Sequence, residues 1–104
     1  IVAEIESDLV GYILGTLQAE RPDAWILGMA VSKDIRKRGV GSILLKRLLK
    51  IFKNKGAKFV MLHVSPDNKP ALKLYRKLGF VEINQEKNYF GVGQSRKFMK
   101  MNFY

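Results

Sequence analysis

The stretch Met29-Ala30-Val31-Ser32-Lys33-Asp34-Ile35-Arg36-Lys37-Arg38-Gly39-Val40-Gly41-Ser42 changes character three times before it enters Ile43-Leu44-Leu45-Lys46-Arg47-Leu48-Leu49. An apolar run ends, a basic loop follows, two glycines bracket a valine, and a helical period starts at once. The first amides of such a helix have no intrahelical acceptor, and the helix dipole puts partial positive charge there. Glycines let an anion approach that backbone closely. The stretch therefore reads as a phosphate cradle.

Charge supports an anionic ligand. The 104-residue chain carries a net +10, distributed unevenly. Residues 1–32 hold five acids and one arginine, whereas residues 33–58 hold ten basic residues against Asp34. Such a basic segment fits a polyphosphate cofactor, nucleic acid or the ribosome surface, or simply a solvated helix face. The length fits one domain over residues 1–104, and 47% hydrophobic residues fit a packed core. No apolar run approaches the roughly 20 residues of a membrane span, so no membrane partner is expected. Lack of cysteine removes disulfides, thiol nucleophiles and thiolate metal sites, and a single histidine excludes a multi-histidine site. A cytoplasmic location and no metal are the expectations.

Taken in order, Ile1–Glu6 and Leu9–Leu17 read as a hairpin around Ser7-Asp8, and Glu20-Arg21-Pro22-Asp23 as a second turn. Ala24–Val31 is nearly all apolar, as for a central strand buried on both faces, with Gly28 marking a bulge or a close approach. From Val40 to about Lys55, Leu44, Leu45, Leu48, Leu49 and Phe52 form one stripe while Lys46, Arg47, Lys50 and Lys53 face away. Gly56 stops that helix. Lys58–Val64 is a strand, and Asn68 and Pro70 start a second helix, which Ala71, Leu74, Tyr75 and Leu78 line and Gly79 ends. A strand begins at Phe80-Val81-Glu82-Ile83, Asn88–Gly93 is a loop, and Lys97–Phe103 alternates as a last strand. The expected order is β-β-β-α-β-α-β-β.

The glycine loop is not a known nucleotide loop. A triphosphate loop needs Gly-Lys-Ser/Thr, but Gly41 precedes Ser42-Ile43; a dinucleotide fingerprint needs glycine where Leu44 stands. Arg36, Gly39 and Gly41 instead match the Arg/Gln-x-x-Gly-x-Gly/Ala signature of the GNAT superfamily of acyl-CoA-dependent N-acyltransferases, which the chain resembles. Asn68, Ala71, Leu74-Tyr75 and Gly79-Phe80 match a second signature of that family, in the right order. Lys87-Asn88-Tyr89-Phe90 is similar to a motif of its RimI-like and N-terminal protein acetyltransferases.

The resemblance implies an α/β fold (α+β) with a mixed, mostly antiparallel sheet, and a transferase that uses acetyl-CoA. It spans residues 1–104 but finds no counterpart for the family's first strand and following two helices, so an N-terminally truncated domain is expected. By the resemblance, Met29, Ala30 and Val31 pair with the pantetheine arm. Arg36, Lys37, Arg38, Gly39, Val40, Gly41 and Ser42 hold the pyrophosphate. Gly28 and Met29 amides face the developing oxyanion. Asn68 holds the pantetheine, His63 is the general base where RimI-like relatives commonly have glutamate, and Tyr75 is both a cofactor contact and the general acid. Tyr89 lines the acceptor entrance. Without the resemblance, His63 is a histidine on a half-buried strand and Tyr75 a core residue. Trp25 has a donor but no base, and receives no catalytic role.

An N-terminal α-amine is about 10% neutral at pH 7 and a lysine about 0.04%, a difference of about 3.4 kcal/mol in deprotonation. A single histidine therefore suits the α-amine of a protein or peptide as acceptor. Two readings compete: a GNAT enzyme acting on lysine, a polyamine or a small-molecule amine, and a non-catalytic basic module binding ribosome or RNA. The second lacks the interleaved aromatics of single-strand binders, and no sequence-specific nucleic acid is expected. Oligomeric state does not follow from the sequence.

Overall fold

In the computed structural model, residues 2–7, 11–18, 20–31, 39–87 and 91–103 are described. They form β1 (Val2–Ser7), β2 (Gly11–Leu17), β3 (Asp23–Val31), α1 (Val40–Asn54), β4 (Phe59–Val64), α2 (Lys69–Lys77), β5 (Val81–Glu86) and β6 (Arg96–Asn102). The strands make one six-stranded sheet in the order β1-β2-β3-β4-β6-β5. β3 and β4 are the parallel neighbours; every other adjacent pair is antiparallel. Among the described residues, no helix is long and apolar enough to cross a membrane.

Two crossovers decide the layering. β3 and β4 are parallel, and β4 and β5 are parallel to each other through the antiparallel β6 between them. Both steps move the same way across the sheet, so right-handed connections put α1 and α2 on one face. Burial agrees with this. Leu44, Leu45, Leu48, Leu49 and Phe52 of α1 and Leu72 and Tyr75 of α2 join one cluster with Ile13, Ala24, Ile26, Val60, Leu62 and Met99. α1 sits close on β2 because Gly15 has no side chain: a Cβ there would lie 2.6 Å from Phe52 Cζ and 2.9 Å from Leu48 Cδ2. The leucine stripe of α1 is buried and Lys46, Arg47, Lys50 and Lys53 are exposed, as the 3.6-residue period requires. On α2 the most buried aliphatic is Leu72, outside the apolar set read from spacing.

The opposite sheet face is open. Thr16, Trp25, Phe59, Met61, His63 and Phe98 are half-buried there, Tyr12 is exposed, and Leu27 is 55% exposed. Residues 24–30 are thus not buried on both faces, contrary to the reading of their apolar run. Ala24 and Ile26 point into the core, while the alternate side chains meet no helix among the described residues. An unbroken apolar sequence tells how much surface a strand asks to bury, but not whether both layers are present.

Glycines end both helices where left-handed backbone is needed, Gly56 at φ 94° and Gly79 at φ 107°. Asn68 caps α2, its side-chain oxygen accepting from the Ala71 N–H at 3.2 Å, and Pro70 occupies the first turn.

Candidate active site

The site arises from a register fault. β3 pairs with β2 normally up to Ile26, opposite Gly15, and again from Gly28, opposite Leu14. Leu27 is left over as a bulge, next to the glycine that marked it in the sequence. A bulge bends its strand and increases its twist. The parallel ladder to β4 stops just before it: Asp23, Ala24 and Trp25 pair with Phe59, Val60 and Met61, and the register goes no further. β3 continues to Val31 and β4 to Val64, so the two strands diverge over their C-terminal halves.

The cleft so formed has a volume of about 220 Å³ and is bounded by Ile26–Met29 on one side and Leu62–Ser65 on the other. Asn68 and Tyr75 reach it from α2 and Arg96 from β6. The β4-side edge of β3 beyond Trp25 has no strand in register with it among the described residues. Its backbone N–H and C=O groups can accept an extended ligand as an added strand. A larger hollow of about 450 Å³ lies at the turn between β2 and β3, against Lys55, Gly56 and Lys58. It contains neither the diverging strand edge nor His63 or Tyr75.

His63 of β4 and Tyr75 of α2, twelve residues apart, line the same cleft. His63 faces the open side of β4, opposite Phe98 in register, with the rings 5.7 Å apart at 55°. Its Nδ1 is shielded from solvent. Burial, and then the charge of Arg96, hold the His63 pKa below the ordinary 6.5, so the neutral imidazole dominates at pH 7. Tyr75 is 7% exposed and packs on Phe80, rings 5.7 Å apart. Burial raises its pKa above 10, so the phenol keeps its proton. Tyr75 is therefore both a core residue and a wall of the cleft.

Gly28 and Met29 also line the cleft, and Ala30 and Val31 continue the same strand. The side-chain oxygen of Asn68 is engaged as the α2 cap, so its amide nitrogen is the group with which it can serve a ligand. α1 starts from Gly39 in the left-handed region, φ 75°, with no side-chain cap and no acid in its first turn. Val40, Gly41 and Ser42 are its first three residues, and the helix ladder opens with Ile43 N–H donating to Gly39 C=O at 3.1 Å. The uncapped amides are those expected to cradle a phosphate. Arg36, Lys37, Arg38 and Tyr89 lie outside the described residues. Trp25 donates its indole N–H to Asp23 at 3.0 Å, and Asp23 also takes Arg21 at 3.0 Å, at the closed end of the β3–β4 pair.

Arg96 is the cleft residue that sequence reasoning missed. Alternation along the last strand puts it on the Phe98 side, but only the β4–β6 register brings that side to His63. Gly28 signalled a bulge or a close approach, but that Leu27 is the surplus residue follows only from the β2–β3 register.

Comparison with known proteins agrees with this geometry. The profile of the Acetyltransferase (GNAT) family matches residues 1–80. An N-alpha-acetyltransferase of Sulfurisphaera tokodaii is 31% identical over 109 aligned positions, covering 94% of this chain and 65% of that protein. The [ribosomal protein bS18]-alanine N-acetyltransferase of Salmonella typhimurium is 32% identical over 75 positions, 72% of this chain and 51% of that one. The crystal structure of Ard1 from Thermoplasma volcanium superposes with a TM-score of 0.84 at 33% identity, covering 91% of this chain and 64% of that one. The chain thus spans between half and two thirds of the length of these relatives. With the family profile matching most of its length and two diverging parallel strands at its centre, the chain belongs to the acetyltransferase (GNAT) family.

Proposed function

We propose that this chain carries the acetyl-transfer site of an enzyme that moves an acetyl group from acetyl-CoA to the N-terminal α-amine of a protein. The observation that carries the reading is the β3–β4 cleft, where an open strand edge, a neutral histidine and a protonated tyrosine meet. The relatives named N-alpha-acetyltransferase and bS18-alanine N-acetyltransferase support the choice of acceptor.

The residues present fit the cofactor. The unpaired edge at Met29, Ala30 and Val31 suits the amide groups of a pantetheine arm, and the uncapped start of α1 suits the pyrophosphate. Gly39, Val40, Gly41 and Ser42 offer backbone amides there, and Arg36, Lys37 and Arg38 add positive charge. The side-chain amide of Asn68 donates to the arm. When bound, the thioester supplies an activated acetyl carbonyl and a thiolate leaving group.

This chain's own residues then divide the work. Backbone amides at Gly28 and Met29 stabilise negative charge developing on the acetyl oxygen. His63, held neutral by burial and by Arg96, accepts the proton that the attacking amine must lose. Tyr75, held protonated by burial, donates to the departing sulfur. The Lys87-Asn88-Tyr89-Phe90 motif assigns Tyr89, outside the described residues, to the acceptor entrance. The lowered His63 pKa makes it a weak base, which suits an α-amine near pKa 8 better than a lysine at 10.4.

A panel of peptides with free or blocked N-termini, each with one internal lysine, tests the reading by mass spectrometry after incubation with acetyl-CoA. Acetyl on the free N-terminus alone is the expected result. Acetyl on lysine alone overturns the acceptor, and no acetyl-CoA binding overturns the reading as a whole.

A further inference from the structure

The cleft accounts for the basic residues before α1 but not for those along the helices. From residue 35 to residue 81 the chain contains one acid, Asp67. On α1, Lys46, Lys50 and Lys53 follow the spacing i, i+4, i+7, with Arg47 beside them. On α2, Lys69, Lys73, Arg76 and Lys77 repeat that spacing. All eight are exposed, and neither helix carries an acid on any face. Arg76 shares its charge with Glu82 across 3.9 Å.

Because both helices cover the same sheet face and both return against parallel strands, their two basic stripes point outward on one side and run in the same direction. At 1.5 Å per residue each stripe is about 10–12 Å long, enough to reach roughly three to four successive phosphates along one strand of a duplex. The geometry points to this helical layer as a docking face for the phosphate backbone of double-stranded RNA, separate from the acetyl-transfer cleft on the strand edge.

Three features favour a duplex phosphate backbone over the other anionic partners. A membrane-surface helix needs large apolar side chains beside its cations. The exposed surfaces of α1 and α2 present one, Ile43 at the start of α1. A protein partner would call for aromatic anchors, and the exposed faces of both helices have none. Absence of exposed aromatics there also argues against base stacking, so the contact reads backbone rather than single-stranded bases.

The test is fluorescence anisotropy of a labelled 20-base-pair RNA duplex, titrated with the full chain at saturating CoA so that the pyrophosphate site is filled. Binding whose log K falls with log salt at a slope of about −4 to −6 is expected, the signature of five to seven phosphates neutralised. Lys46→Gln/Lys50→Gln/Lys53→Gln keeps helix-forming residues and should flatten the slope by about 2.7. Lys73→Gln/Lys77→Gln should flatten it by about 1.8. Circular dichroism and CoA affinity of each variant check that the fold and the cleft survive. Absence of RNA binding at 50 mM salt, binding indifferent to both variants, or binding to phosphatidylserine vesicles in place of RNA would each overturn the proposal. Acetyl transfer is a separate readout, so loss of one function is distinguishable from loss of the other.

Discussion

Gly15→Ala makes a demanding test of how the cleft is supported, because one methyl group is asked to enter a space already filled. The new Cβ would stand 2.6 Å from Phe52 Cζ, 2.9 Å from Phe52 Cε2 and 2.9 Å from Leu48 Cδ2. Those atoms are ends of side chains, which elsewhere could swing away. Here Phe52 is 1% and Leu48 0% exposed, so any movement meets other core atoms. Overpacking of this kind costs about 1–3 kcal/mol. The loss of glycine's freedom in the unfolded chain offsets about 0.4–1 kcal/mol of it. A net destabilisation of about 1–2 kcal/mol is expected, which in a domain of this size lowers Tm by roughly 4–16 °C. Gly15 pairs with Ile26 at the edge of the bulge, so relief by separation of α1 from β2 also moves the strand that lines the cleft. The assay is thermal and urea unfolding of the wild type, Gly15→Ala, Phe52→Leu and the double variant. Phe52→Leu removes the clashing ring atoms, so the double variant should recover at least 0.5 kcal/mol relative to additivity. A Gly15→Ala protein as stable as the wild type, or strict additivity with Phe52→Leu, would refute the packing argument.

Five further outcomes follow from the site. His63→Gln should lower kcat about 10²-fold or more with acetyl-CoA affinity nearly unchanged, as measured by steady-state kinetics and calorimetry. The acid limb of kcat against pH should lie below 6.5, and Arg96→Gln should move it upward by removing a charge that opposes imidazolium; an unmoved limb removes Arg96 from this role. The same shift has a stability consequence: a His pKa lower in the folded than in the unfolded chain leaves stability intact above pH 6.5 and erodes it as pH falls through the folded value. Urea midpoints of the wild type and His63→Gln between pH 7.5 and 5 should therefore diverge toward acid. Tyr75→Phe should lose turnover but little stability, since its ring keeps the Phe80 contact; a large fall in Tm with normal turnover would assign it to the core alone. Asn68→Ala should cost about 1 kcal/mol through loss of the α2 cap, read by urea unfolding, and should weaken CoA binding as well.

Much of this architecture is legible in the chain because it is local. The leucine stripe of α1, the Asn68–Pro70 start of α2, and the stops at Gly56 and Gly79 are set by residues within a few positions of one another. Each follows from helical period, capping or left-handed backbone. The uncapped glycine start of α1 was also local, and so was the glycine that stands beside the bulge. Tyr75 was assigned through motif spacing and His63 through the position it matches in the family, and neither reports where the side chains lie.

What the sequence determined by itself was the alternation of strand and helix, the apolar face of each helix, and the uncapped glycine start that invites an anion. Only the tertiary structure decided that Leu27 is the surplus residue, that β3 and β4 part after Trp25, and that Arg96 stands in the cleft with His63. It also decided that residues 24–30 face a helix layer on one side and an open surface on the other. The physical reason is common to all four. Period, caps and turns are short-range properties of one segment, whereas register, divergence and the covering of a face exist only between segments brought together from distant parts of the chain.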